Sequence, residues 1–267
     1  MSVSIITPVL NGGPYFRACL ESVQAAGPQV EHIVLDGGST DGSIELAQSF
    51  PVRFISQPGT GLTARMNHGY RIAQGSLLGF LGADDILLEG AVDAVVAAHR
   101  LGQRRWFVGG LRWIDGEGNS LGDFGAPPRW LSAAAYESLD WSVISILATY
   151  FDRDLFSELG GYDETVCISA DFELIARALR KEPFHRVARP LALWRRHGEN
   201  FSVVNKALAR REAAAVRQSR RIRQGVAQSL RALGMKLWVN LSNPGWCRRK
   251  MTERLRVALG LTRVFHY

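Results

Sequence analysis

The chain has 267 residues, of which 46% are hydrophobic, and a formal net charge of +7. That is enough apolar material for one large domain plus an appendage. The absence of any run of about 20 apolar residues argues against a transmembrane helix. The three cysteines, Cys19, Cys167 and Cys247, are too dispersed for a disulfide framework or a thiolate zinc site, and fit a reducing cytoplasm. Residues 206–267 hold 15 Lys and Arg against two acids, Glu212 and Glu253, which leaves 17 basic and 23 acidic residues in 1–205. The chain is therefore an acidic body with a basic tail, and a nucleic-acid reading would rest on the tail alone.

The N-terminal "MSVSIITPVL" lacks the basic n-region of a signal peptide and reads directly as a strand. Its continuous apolar run over 3–9 suits a strand covered on both faces. Helical spacing follows from Pro14 to Ala26, through Phe16, Cys19, Leu20 and Val23. A second strand is expected over 31–37 and a helix over 41–50, stopped by Pro51. A third strand covers 52–56, a helix 64–75, a fourth strand 77–82 and a helix 88–101. This βαβ rhythm implies parallel strands with helices on both faces, and ligands bind such sheets at the carboxyl ends of the strands. Beyond about 105 the pattern changes. "RWFVGGLRWIDGEGNSLGDFG" reads as antiparallel strands around a Gly-rich turn, followed by a strand over 145–152, a helix over 169–181 and an extended segment over 184–195.

Chemistry gathers at the strand ends. The first strand carries Thr7, the second ends in Asp36 before "GGSTDGS", and the fourth leads into Asp84-Asp85. Two adjacent carboxylates repel, and a divalent cation beside a phosphate-bearing crevice resolves the repulsion; Mg²⁺ or Mn²⁺ takes such hard oxygen ligands. The competing local reading makes the pair a cap for the following helix. A dinucleotide-binding oxidoreductase would need G-x-G-x-x-G after the first strand, and "PVLNGGPYFRA" does not supply it. Asp171 opens a helical run, Phe172, Leu174, Ile175, Ala178 and Leu179, and a helix N-terminus should depress its pKa.

Five segments in order, "SIITPVLNGGPYFRACLESV", "VLDGGSTDGS", "ISQPGTGLTARMNHGYRIAQGSLLGFLGADD", "ELGGYDE" and "SADFELIARAL…LALWRRHGENFS", resemble family 2 glycosyltransferases over about residues 3–204. The similarity is greatest to bacterial surface-polysaccharide enzymes of the colanic acid and O-antigen type. The resemblance implies an α/β fold of GT-A type: a Rossmann-like mixed sheet flanked by helices, here with a basic helical C-terminal tail. It implies a nucleotide-sugar half at 1–105, an acceptor and catalytic-base half at 106–205, and an extension at 206–267. By position, Thr7 and Asp36 match contacts to the donor's base and ribose. Asp85 matches the metal ligand and Asp84 the acid beside the donor's sugar or ribose. Asp171 matches the general base, and His197, with Arg195 and Arg196 beside it, a histidine near the diphosphate. Gly37 stands where many members carry a second Asp, and Ala170 where many carry Glu.

The implied partners are a nucleotide-diphosphate sugar and a glycan or lipid-linked acceptor, with Mn²⁺ or Mg²⁺ as cofactor and no nucleic acid. A sugar-phosphate nucleotidyltransferase is an alternative with Arg17 as its sole loop cation, and a non-catalytic scaffold of the same fold is another. Gln57 and Asn67 are candidates for the donor loop, and Trp106, Trp113, Trp130 and Trp141 for an acceptor-stacking platform. In the tail, Leu208, Ala215, Ile222, Val226, Leu230, Leu233 and Leu237 fall on one helical face, interrupted by Gly225, Gly234 and Pro244. A basic amphipathic surface of this kind suits an anionic membrane. The expected location is cytoplasmic, peripheral on the inner face of the membrane.

Overall fold

A computed structural model describes residues 2–102, 104–139, 142–219 and 226–258. In chain order the first half comprises β1 (Val3–Val9), α1 (Phe16–Ala25), β2 (Val30–Asp36), α2 (Ser43–Gln48), β3 (Arg53–Ser56), α3 (Leu62–Ile72), β4 (Leu77–Phe80), β5 (Ile86–Leu87) and α4 (Ala91–Arg100). The second half comprises β6 (Trp106–Ile114), β7 (Ser120–Phe124), α5 (Ala133–Glu137), β8 (Thr149–Asp152), α6 (Arg153–Leu159), α7 (Ala170–Lys181) and β9 (His185–Arg195). The tail forms α8 (Phe201–Val204), α9 (Lys206–Ser219), α10 (Val226–Ser242) and α11 (Pro244–Ala258).

One sheet runs in the order β3-β2-β1-β4-β8-β6-β9-β5, with β7 paired to β6. The first four strands are parallel, joined by helical crossovers, while β8 runs antiparallel to both β4 and β6. The sheet is therefore mixed, as expected. Alternating side chains of β1 and β2 enter two separate cores, with Ile6, Ile33 and Leu35 on one face and Ile5 and Val34 on the other. Phe16, Cys19, Leu20 and Val23 of α1 and Val92 and Val95 of α4 cover the second face. The first face takes Met66 and Tyr70 of α3 and Phe172, Leu174 and Ile175 of α7. Each fully buried side chain of this size contributes about 1.5–3 kcal/mol by leaving water, so both faces need their helices.

The segment after Asp84-Asp85 differs from expectation. Instead of entering a helix directly, Ile86–Leu87 pairs antiparallel with β9, through Ile86–Leu193 and Leu87–Ala192. Gly90 then caps α4 with a left-handed backbone. The acid pair is thus not a helix cap; it lies in the turn between two strands.

The tail packs on the body. Glu212 of α9 accepts the backbone N–H groups of Cys167, Ile168 and Ser169 at 3.2, 2.8 and 2.9 Å, and Ser169 Oγ donates to Ala209 O. Arg217 donates to the carbonyls of Glu137 and Leu139 and lies over the Phe172 ring. Met235 and Val239 of α10 are buried, and Asn243 Oδ1 accepts the N–H of Gly125 at 2.7 Å. Gly234 does not interrupt α10, whereas a helix does start at Pro244. Ile222 and Gly225 lie outside the described residues. Among the described residues no helix is long and apolar enough to cross a membrane.

Because Glu212 answers three backbone donors next to α7, Glu212→Ala should destabilise the chain by about 1–3 kcal/mol, read from urea unfolding midpoints. An unchanged midpoint would show that the tail does not hold that loop.

Candidate active site

The acid pair is set by the turn that follows β4. Leu81 is buried and its N–H donates to Ile6 O, and the Asp85 N–H then closes the turn onto Gly82 O at 3.1 Å. A Cβ at Gly82 would lie 2.5 Å from Asp85 Oδ2 and 2.9 Å from Asp84 Oδ1. Only glycine lets both carboxylates fold back over the turn.

The end of β9 completes the cluster. The backbone N–H of Arg195 donates to Asp85 Oδ1 at 2.9 Å, and Arg195 Nε donates to the Asp84 carbonyl at 3.1 Å. His197 Nε2 lies 3.0 Å from Asp84 Oδ2, and Asn200 Nδ2 donates to the same oxygen at 2.9 Å. Asn200 also donates to Arg195 O and accepts the His197 N–H, which fixes the loop that carries them. Tyr15 stacks into the group, with the Arg195 guanidinium 4.6 Å above its ring and the His197 ring 4.9 Å away. Burial, and then the adjacent Asp84 charge, push the pKa of Asp85 well up; the backbone N–H and the charge of Arg195 oppose this. Arg195 is buried and donates to the carbonyls of Asp115 and Gly116, so it braces the pair from behind instead of facing the cleft.

Among the described residues no three His, Cys, Asp or Glu side chains gather around one point. One or two carboxylates are nevertheless what Mg²⁺ or Mn²⁺ requires when water and phosphates fill the remaining positions. Asp85, buried and held at one oxygen, fits that role.

Asp171 lies in the first turn of α7 and lines the same cleft as Asp84 and Asp85, a space of about 1870 Å³. Phe172 N–H donates to its Oδ1 at 2.7 Å. Burial nevertheless pushes its pKa up to about 6, overcoming the backbone donors that pull it down. The direction is opposite to the one expected from the helix terminus alone: desolvation outweighs the dipole.

Thr7 and Asp36 lie elsewhere. Thr7 is fully buried with Oγ1 3.0 Å from His32 Nε2, a histidine whose pKa burial pushes down to about 3. Asp36 is also fully buried, and its carboxylate accepts the N–H groups of Gly38 and Ser39 at 2.8 and 3.0 Å. Neither is among the cleft-lining residues. Both shape the strand ends from beneath. Asn67 is likewise structural: it accepts the Tyr162 N–H and donates to Tyr162 O and Glu164. Gln57 does not line the cleft.

Arg65 escaped the sequence reading. It lines the cleft, is 7% exposed, donates to Thr60 O at 2.9 Å and leaves its Nε buried without a partner. A Cβ at Gly37 would collide with its guanidinium. The glycine in place of an acid was the available sign, since the vacated space is filled by a cation from α3. Of the tryptophans, Trp113 lines the cleft and meets Trp194 edge-on at 4.8 Å, a partner not singled out from sequence. Trp106 is core and Trp130 is exposed. Trp141 lies outside the described residues.

Parallel strands on one side of a mixed sheet, an acid pair after β4 and a third acid opening α7 agree with the α/β fold of GT-A type that the sequence resemblance implies. The model for glycosyl transferase family 2 matches residues 4–158, and the chain belongs to that family. It is 33% identical over 183 residues to the PGL/p-HBAD biosynthesis glycosyltransferase Rv2957 of Mycobacterium tuberculosis H37Rv, covering 65% of this chain and 68% of the relative. It is 36% identical over 89 residues to the uncharacterized glycosyltransferase YibD of Escherichia coli K12, covering 31% of this chain. The match spans only 26% of the length of YibD, and 35% of that of a Rickettsia felis relative. Among solved structures, Staphylococcus aureus TarS 1-349 in complex with UDP-GlcNAc aligns with a TM-score of 0.59 at 15% identity, over 76% of this chain and 61% of TarS. The mannosyltransferase PcManGT of Pyrobaculum calidifontis, in complex with GDP-Man and Mn²⁺, aligns with a TM-score of 0.56 at 17% identity, over 96% of this chain and 75% of PcManGT.

The buried Asp36 carries a pH signature. Burial raises its pKa, but donors from Ser39, Gly38 and Ser56 outweigh that and leave it below the usual carboxylate value. A depressed carboxylate stabilises the fold above its unfolded pKa of about 3.9 and loses that contribution as pH falls through the folded value. Asp36→Asn should therefore unfold at lower urea than the parent at pH 7, with the gap closing below about pH 4. A gap independent of pH would contradict the assignment.

Proposed function

We propose that this chain is an inverting, divalent-metal-dependent glycosyltransferase that moves a sugar from a nucleotide-diphosphate donor to a hydroxyl of a glycan or lipid-linked acceptor, in bacterial cell-surface polysaccharide synthesis. The observation that carries this reading is the single cleft lined by Asp84, Asp85 and Asp171. Asp171 takes the proton from the acceptor hydroxyl as that oxygen bonds to the anomeric carbon. The bond from that carbon to the diphosphate breaks on the opposite face, and the nucleoside diphosphate leaves. A raised pKa suits a base that must bind a proton in mid-reaction. Asp85 would hold Mn²⁺ or Mg²⁺, which when bound neutralises the charge developing on the diphosphate. Asp84, oriented by His197 and Asn200, faces the donor sugar or ribose, and His197 stands beside the diphosphate. Arg65 supplies hydrogen-bond donors at the nucleotide end.

The UDP-GlcNAc and GDP-Man complexes of the structural relatives support a nucleotide-sugar donor, and the Mn²⁺ of one supports the ion. The nucleotidyltransferase alternative loses its loop cation, because Arg17 is exposed, 3.9 Å from Glu21 and over the Phe50 ring. Peripheral membrane association is supported by the outer face of the tail. Leu230, Leu233, Leu237 and Leu241 of α10 and Met251 and Leu255 of α11 are all exposed, with Arg231 and Arg248 exposed on the same two helices.

With its pKa at about 6, Asp171 is the competent base only when ionised. The profile of kcat/KM should therefore fall below about pH 6 and level off above about pH 7. Asp171→Asn should lower kcat by about 10²–10⁴-fold while leaving calorimetric donor affinity nearly unchanged; full transfer activity in this variant would remove Asp171 as the base. A panel of nucleoside diphosphates and their sugars with and without Mn²⁺ should show metal-dependent thermal stabilisation by one nucleotide class, lost in Asp85→Ala. No stabilisation by any member would favour the scaffold alternative. In co-sedimentation, the chain should pellet with phosphatidylglycerol vesicles and not with phosphatidylcholine, and Leu233→Glu with Leu237→Glu should release it. Equal pelleting by that double variant would contradict the membrane assignment.

A further inference from the structure

We propose that the half of the cleft beyond Asp171 is a binding site for a phosphate-bearing acceptor, built by cations of the tail: Lys206 and Arg210 of α9, Lys236 of α10 and Lys250 of α11. The proposal rests on the glycosyl-transfer reading of the cleft and adds the chemical class of its acceptor.

The placement comes from the helices. Lys206, Ala209, Arg210, Ala213 and Arg217 all line the cleft, and the steps 206 to 209 or 210, 210 to 213 and 213 to 217, each of three or four residues, make them one face of α9. Two alanines on that face leave room between the long cationic side chains. The same helix reaches the loop before Asp171 through Glu212, so its cleft face stands beside the base. Arg217 is committed to backbone carbonyls and to Phe172 and is not counted in the site. Lys236 and Asn240 of α10 and Lys250 of α11 face the same space.

The charge balance favours an anion. Among the described residues the acids lining the cleft are Asp84, Asp85, Asp171 and Glu199. Two belong to the strand-end turn and one is the base, which leaves Glu199 as the acid on the tail side. Lys206 is only partly exposed, and burial, then Arg210 and Arg196, push its pKa down. Crowding cations in a concave, partly desolvated space costs free energy that a phosphate recovers, and guanidinium and ammonium groups are its usual donors. The rim beside them is apolar: Phe201 and Val204 line the cleft and are 52% and 66% exposed. An amphiphile with a phosphate head satisfies both features.

The test is calorimetry on the full chain in EDTA, where capture of phosphate by a metal at Asp85 is silent. The probes are farnesyl phosphate, glucose 1-phosphate and farnesol. Farnesyl phosphate should bind saturably, and Lys206→Ala with Arg210→Ala should weaken it about tenfold or more, the scale of losing a charge-assisted hydrogen bond. The pair Lys236→Gln with Lys250→Gln, one exposed and the other partly exposed, should weaken it in the same direction, with an unchanged near-UV dichroism spectrum. Glucose 1-phosphate competing as well as farnesyl phosphate would support the site with a phosphorylated glycan as the source, and failure to compete would support it with a lipid phosphate. Farnesol binding as tightly as its phosphate, or affinity unmoved by both double variants, would overturn the proposal. So would a double variant that loses UDP or GDP affinity in Mn²⁺ in place of farnesyl phosphate affinity, because the cations would then serve the donor. Failure of the donor reading itself appears separately, as the unmodified chain binding neither UDP nor GDP in Mn²⁺.

Discussion

Two adjacent carboxylates at the rim of a sheet are the constraint on which the rest of this structure depends. Asp85 is 4% exposed, and a charge so placed is costly unless nearby groups answer it. The answering groups come from more than 100 residues downstream: the backbone N–H of Arg195 for Asp85, and His197 and Asn200 for Asp84. The two-residue strand Ile86–Leu87 pairs with β9 and brings those groups into reach. The parallel half of the sheet and the mixed half are thereby tied together at the acid pair. The glycine before the pair and the tyrosine stacked on Arg195 follow from the same requirement.

The proposed base is held by a different device. Asp171 opens a helix whose preceding loop is pinned by Glu212 from the tail. The basic extension thus contributes one of its few acids to the architecture of the site and several of its cations to the lining of the cleft. Its role divides by face. Met235 and Val239 pack inward, and Leu230, Leu233, Leu237 and Leu241 point out. A charge count along the sequence describes such a segment as a uniform basic run, and cannot separate residues that close a cleft from residues that cover it.

Much of the fold was legible from sequence because period and composition carry it. The run Val3–Val9, the spacing of Phe16, Cys19, Leu20 and Val23, and the helix at Ala170–Lys181 all match local patterns. The grouping of Asp84, Asp85 and His197 was legible only through the ordered motifs, since the residues are local in no other sense. The misses have physical reasons. Ile86–Leu87 was hidden because a two-residue strand has no period and is defined by its partner. The pKa of Asp171 was misjudged because a helix terminus is visible in sequence and desolvation is not. Asp36 and Thr7 sit beneath the cleft, where neighbouring loop amides and His32 claim their oxygens. Arg65 was missed because the sign lay at Gly37, on another element, and a lone arginine in a helix does not show which distant glycine it packs against.

We propose Asp84-Asp85 as the seat of a divalent ion shared with a nucleoside diphosphate. Electron paramagnetic resonance of Mn²⁺ tests it most directly, because free and protein-bound ions give distinct spectra. Mn²⁺ titrated into the full chain should become protein-bound on addition of UDP or GDP, and Asp85→Ala should return it to the free spectrum. Binding of Mn²⁺ that is indifferent to nucleotide, or that survives intact in Asp85→Ala, would contradict the claim.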